Sequence, residues 1–96
     1  CAGLIWGGAN MAPKTCVALV RAAREKRWDQ TREIWKQLEP VMSLIWQGDY
    51  VQSVYAGAQL TGYDAGQPRR PLARLSEEKT RALRTALGSL VDAEAL

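Results

Sequence analysis

The architecture follows from residues 3–13, which read Gly3-Leu4-Ile5-Trp6-Gly7-Gly8-Ala9-Asn10-Met11-Ala12-Pro13. Leu4-Ile5-Trp6 is a continuous apolar run between glycines, typical of a strand that is buried on both faces of a parallel sheet. Gly7-Gly8 permits a turn, and Pro13 suits the first turn of a helix, where its missing N–H costs nothing. Because a buried strand needs neighbours for its backbone hydrogen bonds, and no second strand is predicted, these residues indicate one βα unit of a larger sheet.

Apolar residues recur at helical spacing through the rest of the chain. The first helix is predicted over residues 13–26, and the second is expected to begin near Asp29 and to continue past a kink at Pro40. Asp49 is expected to cap a third helix, and a fourth helix begins after Ser76. One strand and four helices make the visible chain mostly α. The four tryptophans fall mostly on apolar stripes and are predicted to be core or interface residues.

The composition excludes several kinds of site. The chain has 96 residues, of which 47% are hydrophobic, and no apolar run approaches the ~18 residues of a membrane-spanning helix. Histidine is absent, which removes the commonest general base and metal ligand. Two cysteines, Cys1 and Cys16, are too few for a zinc site, and no phosphate-loop or dinucleotide-binding motif is present. The residues predict no metal, no cofactor and no membrane segment, and free thiols favour a reducing cytoplasm.

A mild excess of basic residues leaves further functions open. The net charge is +3, and Arg21, Arg24, Lys26 and Arg27 form a cluster. Such a cluster is typical of a phosphate-contacting patch in a nucleic-acid-binding bundle, or of the cationic end of one helix beside its negative dipole. Interrupting acidic residues favour the second interpretation, so no nucleic acid partner is expected. A self-contained small helical domain that binds a partner protein is the remaining alternative.

Several segments resemble, in order, the C-terminal part of the dihydrodipicolinate synthase / N-acetylneuraminate lyase family. Residues 3–13 resemble its eighth barrel strand and the loop that follows, and residues 16–23 resemble its next helix. Leu-Glu-Pro-Val at residues 38–41 is similar to its Leu-x-Pro-Leu. Residues 54–62 resemble its Val-Lys-Ala-x-x-x-Leu-x-Gly, and residues 66–72 resemble its Gly-x-x-Arg-x-Pro-Leu. The likeness covers nearly the whole chain.

The resemblance implies an α/β fold in which this chain is the C-terminal fragment of a TIM barrel. Residues 1–26 would form the last βα unit of the (β/α)8 barrel, and residues 27–96 a C-terminal helical extension. A TIM barrel needs ~250 residues. The chain also begins at Cys1 rather than at a methionine, so we expect a piece of a longer protein.

The same resemblance implies a lyase that forms a lysine Schiff base with pyruvate or a related 2-keto acid, for aldol addition, cleavage or dehydration. That lysine would lie on the sixth strand, so no catalytic residue is expected in this chain and the piece alone should be inactive. Ile5, Trp6 and Gly7 would line the substrate pocket, because barrel sites lie at the C-terminal ends of strands. The resemblance also implies a homo-oligomer in the cytoplasm that needs no cofactor.

Two departures from the family pattern concern the substrate. Tyr55 stands where many members have a lysine, and Trp6 replaces a serine of the lysine-biosynthesis enzymes. These differences argue against a lysine-biosynthesis enzyme, and residues 49–62 are more similar to relatives that dehydrate keto-deoxy sugar acids. A bulky Trp6 at the pocket would change the room for the second substrate.

Overall fold

The computed structural model describes residues 2–94, and Cys1 lies outside that range. A 3-10 turn at Gly7–Asn10 is followed by five α-helices. They are α1 (Pro13–Arg24), α2 (Trp28–Ile45), α3 (Tyr50–Leu60), α4 (Glu77–Leu87) and α5 (Leu90–Glu94). The mostly α character predicted from the sequence is confirmed.

The strand expected over residues 4–6 is not formed within residues 2–94. Trp6 has an extended backbone, with φ −154° and ψ 129°, but no neighbouring strand supplies ladder hydrogen bonds. Leu4 and Ile5, which were expected in the core, are exposed. The physical reason is that one strand cannot pair with itself. The apolar run is present, whereas residues 2–94 hold no partner strand.

The core lies between the helices and the turn. α2 packs against α1 and α4, α3 packs against α4 and the 3-10 turn, and α5 packs against α1. Periodic leucines such as Leu83, Leu87 and Leu90 turn one face of α4 and α5 inward. The buried cluster consists of Met11, Ala12, Cys16, Leu38, Val41, Ile45, Leu83, Leu87 and Leu90. Truncation of one such leucine to alanine typically costs about 2–5 kcal/mol.

The start of α4 follows its sequence signal. Ser76 has extended backbone angles, and its hydroxyl accepts a hydrogen bond from the Lys79 N–H at 3.2 Å. This bond satisfies one of the free donors of the first turn. The predicted last helix is nevertheless interrupted at Gly88, whose φ of 48° favours glycine. The chain turns there, and α5 runs separately.

The second and third helices differ slightly from prediction. α2 begins at Trp28, one residue before the expected Asp29, and it continues through Pro40 as expected. Asp49 occupies the N-cap position of α3 in the left-handed conformation, with φ 52°. Its carboxylate does not cap the helix but forms an ion pair with Lys79. The ion pair connects the start of α3 to α4.

The tryptophans lie mainly outside the core. Trp28, Trp35 and Trp46 are exposed, so of the two predicted roles, core or interface, the core role is wrong for these three residues. Trp6 is partly buried and packs against the core cluster. Amphipathic spacing predicts which helical residues share a side, but it does not distinguish a core-facing side from a second apolar side.

Candidate functional site

The predicted pocket-lining residues lie at the entrance of a tight turn. The carbonyl of Trp6 accepts a hydrogen bond from the Ala9 N–H at 3.0 Å, and the carbonyl of Gly8 accepts one from the Met11 N–H at 3.0 Å. These bonds close the 3-10 turn Gly7–Asn10, which leads into α1. The backbone that follows the predicted strand is therefore fixed by short-range hydrogen bonds.

Gly7 is also held by a residue from α3. Its N–H donates to the Tyr50 hydroxyl at 3.0 Å, across 43 positions of sequence. Its carbonyl accepts a hydrogen bond from Asn10 Nδ2 at 2.9 Å. A Cβ at Gly7 would lie 2.2 Å from the Tyr50 hydroxyl oxygen. Only glycine permits this close approach, and α3 thereby positions the end of the predicted strand.

Trp6 folds back over the turn. A Cβ at Gly8 would lie 2.2 Å from Cζ2 of the Trp6 ring, so the glycine makes room for the indole. The indole Nε1 is buried and forms no hydrogen bond with any other residue of the 2–94 range. A buried donor without an acceptor typically costs about 1–3 kcal/mol. The Trp6 indole is therefore held against Gly8 with its N–H buried.

Ile5 stands apart from the other two predicted pocket residues. Its side chain is fully exposed. Its backbone forms no hydrogen bond to other described residues. The structure thus brings Trp6 and Gly7 together with Tyr50 but leaves Ile5 outside the cluster. The N–H and carbonyl of Ile5 remain available to another chain segment or to a small molecule.

The Met11 side chain packs the end of the turn against α3. Its side chain is fully buried. A Cβ at Gly57 would lie 2.1 Å from Sδ of Met11, so the thioether lies directly against the helix backbone. Together with the Tyr50–Gly7 contact, this packing attaches both ends of the turn to one helix of the extension.

A buried carboxylate lies at the other side of the turn, on the N-terminus of α1. Glu94 is 1% exposed. Its Oε1 accepts hydrogen bonds from the Thr15 N–H at 2.8 Å and the Thr15 hydroxyl at 2.9 Å. Its Oε2 accepts from the Lys14 N–H at 3.1 Å and the Tyr63 hydroxyl at 3.3 Å. A negative charge is stabilised there because the free N–H groups and the helix dipole are positive.

The carboxylate and its surroundings shift the pKa values of two neighbours upward. Burial, and then the Glu94 charge, raise the pKa of the Cys16 thiol from its ordinary 9.0 to about 11. Desolvation followed by the Glu94 charge raises the pKa of Tyr63. A raised folded pKa means that the contribution of Cys16 to stability is present below pH 9.0 and is lost as the pH rises toward about 11.

We expect Cys16 to resist alkylation in the folded chain. With its pKa at about 11, the thiolate fraction at pH 8 is ~100-fold smaller than that of an ordinary cysteine. Iodoacetamide labelling at pH 8, followed by mass analysis of the Cys16 peptide, should be at least about 100-fold slower in buffer than in 8 M urea (a standard denaturing condition). Equal rates in the two solutions would contradict the burial of this residue.

A groove runs along α1. It has a volume of about 770 Å³ and is mainly apolar. Its lining includes Leu4, Ala9, Pro13, Cys16, Val17, Val20, Arg21, Arg24 and Glu25. The groove is separate from the Trp6–Gly7–Tyr50 cluster. The charged Arg21, Arg24 and Glu25 line one part of it, and apolar side chains such as Leu4 and Val17 line the rest.

The remaining candidate groups carry no site chemistry. Lys79 pairs with Asp49, and Lys36 lies 3.1 Å from Glu33 on the surface of α2. The basic cluster falls at the last turn of α1 and the loop after it, where Arg27 pairs with Glu25 at 2.6 Å. No three residues of the kinds that hold a metal ion come together within residues 2–94. Among the helices of that range, none is both long and apolar enough to span a membrane.

Sequence reasoning missed two residues that organise the site. Neither Tyr50 nor Glu94 is assigned a role by the sequence pattern. Their partners lie 43 and about 80 positions away along the chain. No local spacing signals such contacts. For the Tyr50 contact, the available signal is Gly7 before a tight turn. A glycine there indicates that some group approaches the backbone closely, but it does not identify that group.

Comparisons with known proteins identify the family of the chain. The model of the dihydrodipicolinate synthetase family matches residues 1–90. The chain is 35% identical over 88 residues to a 4-hydroxy-tetrahydrodipicolinate synthase of Archaeoglobus fulgidus, covering 92% of this chain and 30% of that protein. It is 34% identical over 90 residues to a DapA-like lyase of Halobacterium salinarum, covering 94% and 30%.

The chain thus spans about 30% of the length of the curated relatives that it matches. A 4-hydroxy-tetrahydrodipicolinate synthase of Methanocaldococcus jannaschii is similar to the same extent, with 33% identity over 88 residues. No solved structure matches the chain. The family match over residues 1–90 includes the 3-10 turn, α1 to α4 and Tyr50, which holds Gly7. The chain belongs to the dihydrodipicolinate synthetase family.

Proposed function

We propose that these residues are the C-terminal portion of a lyase that forms a lysine Schiff base with pyruvate or a related 2-keto acid. The observation that carries this proposal is the family match over residues 1–90, which includes the turn that holds Gly7. The reaction would be aldol addition, cleavage or dehydration. The imine-forming lysine would come from a barrel portion that contains the sixth strand.

Within that enzyme, residues 1–26 would complete a TIM barrel and residues 27–96 would form its helical extension. Leu4 to Trp6 would become the eighth strand once neighbouring strands supply its hydrogen bonds. The apolar groove along α1 supports this assignment, because a barrel helix needs apolar neighbours on both sides. The exposed Leu4 and Val17 would then be covered.

Ile5, Trp6 and Gly7 would form the local wall of the substrate pocket. The free backbone groups of Ile5 are suited to bind the carboxylate or hydroxyl groups of a keto acid. The Trp6 ring would support this wall from behind, since it packs over Gly8 and its Nε1 is buried. The substrate would be a keto-deoxy sugar acid, in keeping with the resemblance of residues 49–62 to relatives that dehydrate such acids.

Tyr50 is a positioning residue in this proposal. Its hydroxyl oxygen accepts a hydrogen bond from the Gly7 N–H at 3.0 Å, and it would act on the substrate only through that backbone. The extension would therefore act on the active site through the backbone of the turn. We also propose a cytoplasmic homo-oligomer, in keeping with the reducing environment that free thiols favour.

Borohydride trapping tests the lyase proposal. Protein expressed from the complete reading frame should be trapped irreversibly when sodium borohydride is added with pyruvate, because reduction of the imine leaves a secondary amine on the lysine. The 96-residue chain, treated in parallel, should remain unlabelled. A complete protein that is not trapped would overturn the proposal, and so would a label on Lys14, Lys26, Lys36 or Lys79.

One observation favours the alternative of a self-contained helical interaction domain. The described residues bury a continuous cluster of their own, from Met11 to Leu90. Thermal unfolding of the 96-residue chain distinguishes the two functions. A monomer that melts sharply, together with a complete protein that forms no pyruvate imine, would favour the interaction domain.

A further inference from the structure

A polar cleft lies between α3, α4 and the connection that joins these two helices. It has a volume of about 440 Å³, which is within the range of small-molecule pockets in proteins. Within residues 2–94, its lining comes only from positions 52–84, and neither the 3-10 turn nor α1 contributes to it. Three segments that are distant in sequence thus enclose one concave surface.

One side of α3 supplies polar groups to this cleft. Gln52, Tyr55 and Gln59 recur at intervals of three and four positions, so they lie on the same side of the helix. None of these side chains forms a hydrogen bond with another residue of the 2–94 range. Tyr55 is also the position at which the chain departs from the lysine of the family pattern. Two amides and one phenol therefore border the cleft with their hydrogen-bonding groups unused.

Two arginines give the cleft its positive charge. Arg74 precedes Ser76, the N-cap of α4, and Arg84 lies in the last turn of that helix, about 12 Å further along its axis than Ser76. Neither arginine forms an ion pair within residues 2–94, and no carboxylate of that range lines the cleft. Two cations in one cavity without a counter-charge attract an anion, because their positive potentials add there.

Glu77 is the acidic residue that borders Arg84 from outside this cleft. It lines a neighbouring cavity of about 250 Å³, together with Arg81 and Arg84. It forms no ion pair with Arg84 and is exposed. An exposed carboxylate at the surface contributes little even when it is paired. Glu77 therefore leaves the positive charge of the cleft in place.

We propose that the arginine cleft, defined as Gln52, Tyr55, Gln59, Arg74 and Arg84, binds a small dicarboxylate. A guanidinium group binds a carboxylate through two parallel N–H···O hydrogen bonds. Because Arg74 and Arg84 enter from opposite ends of α4, two carboxylates joined by a short carbon chain match them better than one compact anion does. The amides and the phenol would bind the remaining oxygen atoms. The proposal goes beyond the lyase function and does not rest on it.

Isothermal titration calorimetry of the protein expressed from the complete reading frame, at constant ionic strength, tests the cleft. Succinate should bind with a Kd below about 1 mM. Arg84→Gln should raise that Kd about tenfold or more, the loss expected for a hydrogen bond between charged groups. Arg81→Gln is the matched control, because it removes the same charge from the same helix at a position that does not line the cleft. Its Kd should change less than about threefold, since exposed charges are screened by salt.

Absence of succinate binding, or equal weakening by the two variants, would overturn the proposal. Acetate and inorganic phosphate should each bind about tenfold or more weakly than succinate, because neither carries two separate carboxylates for the two guanidinium groups. Phosphate that binds as tightly as succinate would show that charge alone is recognised, and the dicarboxylate assignment would be wrong.

The remaining part of the protein is the other candidate occupant of the cleft. If the 96-residue chain binds succinate but the complete protein does not, another segment fills the cleft and the proposal is overturned. Circular dichroism of Arg84→Gln should match that of the parent, because the Arg84 side chain is exposed, so weaker binding is not a folding defect. Calorimetry does not depend on imine formation. A complete protein that binds succinate but is not trapped by borohydride therefore supports the cleft and removes only the lyase function.

Discussion

Replacement of Glu94 by alanine is expected to lower the free energy of unfolding of the 96-residue chain by about 3 kcal/mol, because a hydrogen bond to a charged group contributes about 1.5–3 kcal/mol. The carboxylate is 1% exposed and accepts hydrogen bonds from the N–H groups of Lys14 and Thr15 and from the Thr15 hydroxyl. Without it these donors lose their acceptor at the start of α1, and α5 loses its polar attachment. Urea denaturation followed by circular dichroism measures the change.

Two further variants serve as comparisons. One removes the charge of Glu94 but keeps an acceptor, and the other removes an exposed carboxylate elsewhere on α5. Glu94→Gln retains one acceptor oxygen and should cost about 1 kcal/mol, the typical value for a neutral hydrogen bond. Asp92→Ala changes an exposed carboxylate on the same short helix and should stay within about 0.5 kcal/mol of the parent. If Glu94→Ala is no more destabilising than Asp92→Ala, the buried carboxylate does not hold α5 to α1.

Gly7→Ala is expected to have the largest effect on the proposed activity. The added Cβ would lie 2.2 Å from the Tyr50 hydroxyl oxygen and 2.8 Å from two ring atoms of Tyr50, so the turn must move away from α3. Overpacking of this kind typically costs about 1–3 kcal/mol of stability. In the complete protein, displacement of the pocket wall by about 1 Å should reduce kcat/KM by about 100-fold. Urea denaturation and steady-state kinetics measure the two effects.

Gly3→Ala provides the matched control for this prediction. No atom lies within 4 Å of a Cβ built at Gly3, so both stability and activity should be unchanged. Tyr50→Ala removes the obstructing ring, and the double variant Gly7→Ala/Tyr50→Ala should be less destabilised than the sum of the two single variants by about 1 kcal/mol or more. Additive losses would show that the Tyr50–Gly7 contact does not determine the position of the turn.

Much of the local structure could be predicted from the sequence. Pro13 and Ser76 mark the starts of α1 and α4, and the helix through Pro40 follows its apolar period. These features depend on residues within a few positions of one another, because helix caps and amphipathic stripes are properties of one or two turns. The family resemblance, carried by short motifs in order, was confirmed by the match over residues 1–90.

The strand at residues 4–6 shows where local pattern is insufficient. Its composition predicts a buried strand, but a strand exists only when a neighbour completes its hydrogen bonds. The tryptophans of α2 show the same limit for burial. The period places Trp28, Trp35 and Trp46 on one side of the helix, but only the packing of α1 and α4 decides that Leu38 and Val41 face the core instead.

By itself, the sequence predicted four helices and the family, but not the break at Gly88 that separates α4 from α5. Only the tertiary structure decided that Tyr50 holds Gly7 and that Glu94 fills the N-terminus of α1. The reason is distance along the chain. Local propensity acts over a few residues, whereas these contacts join residues 43 and 79 positions apart and exist only after the helices have packed.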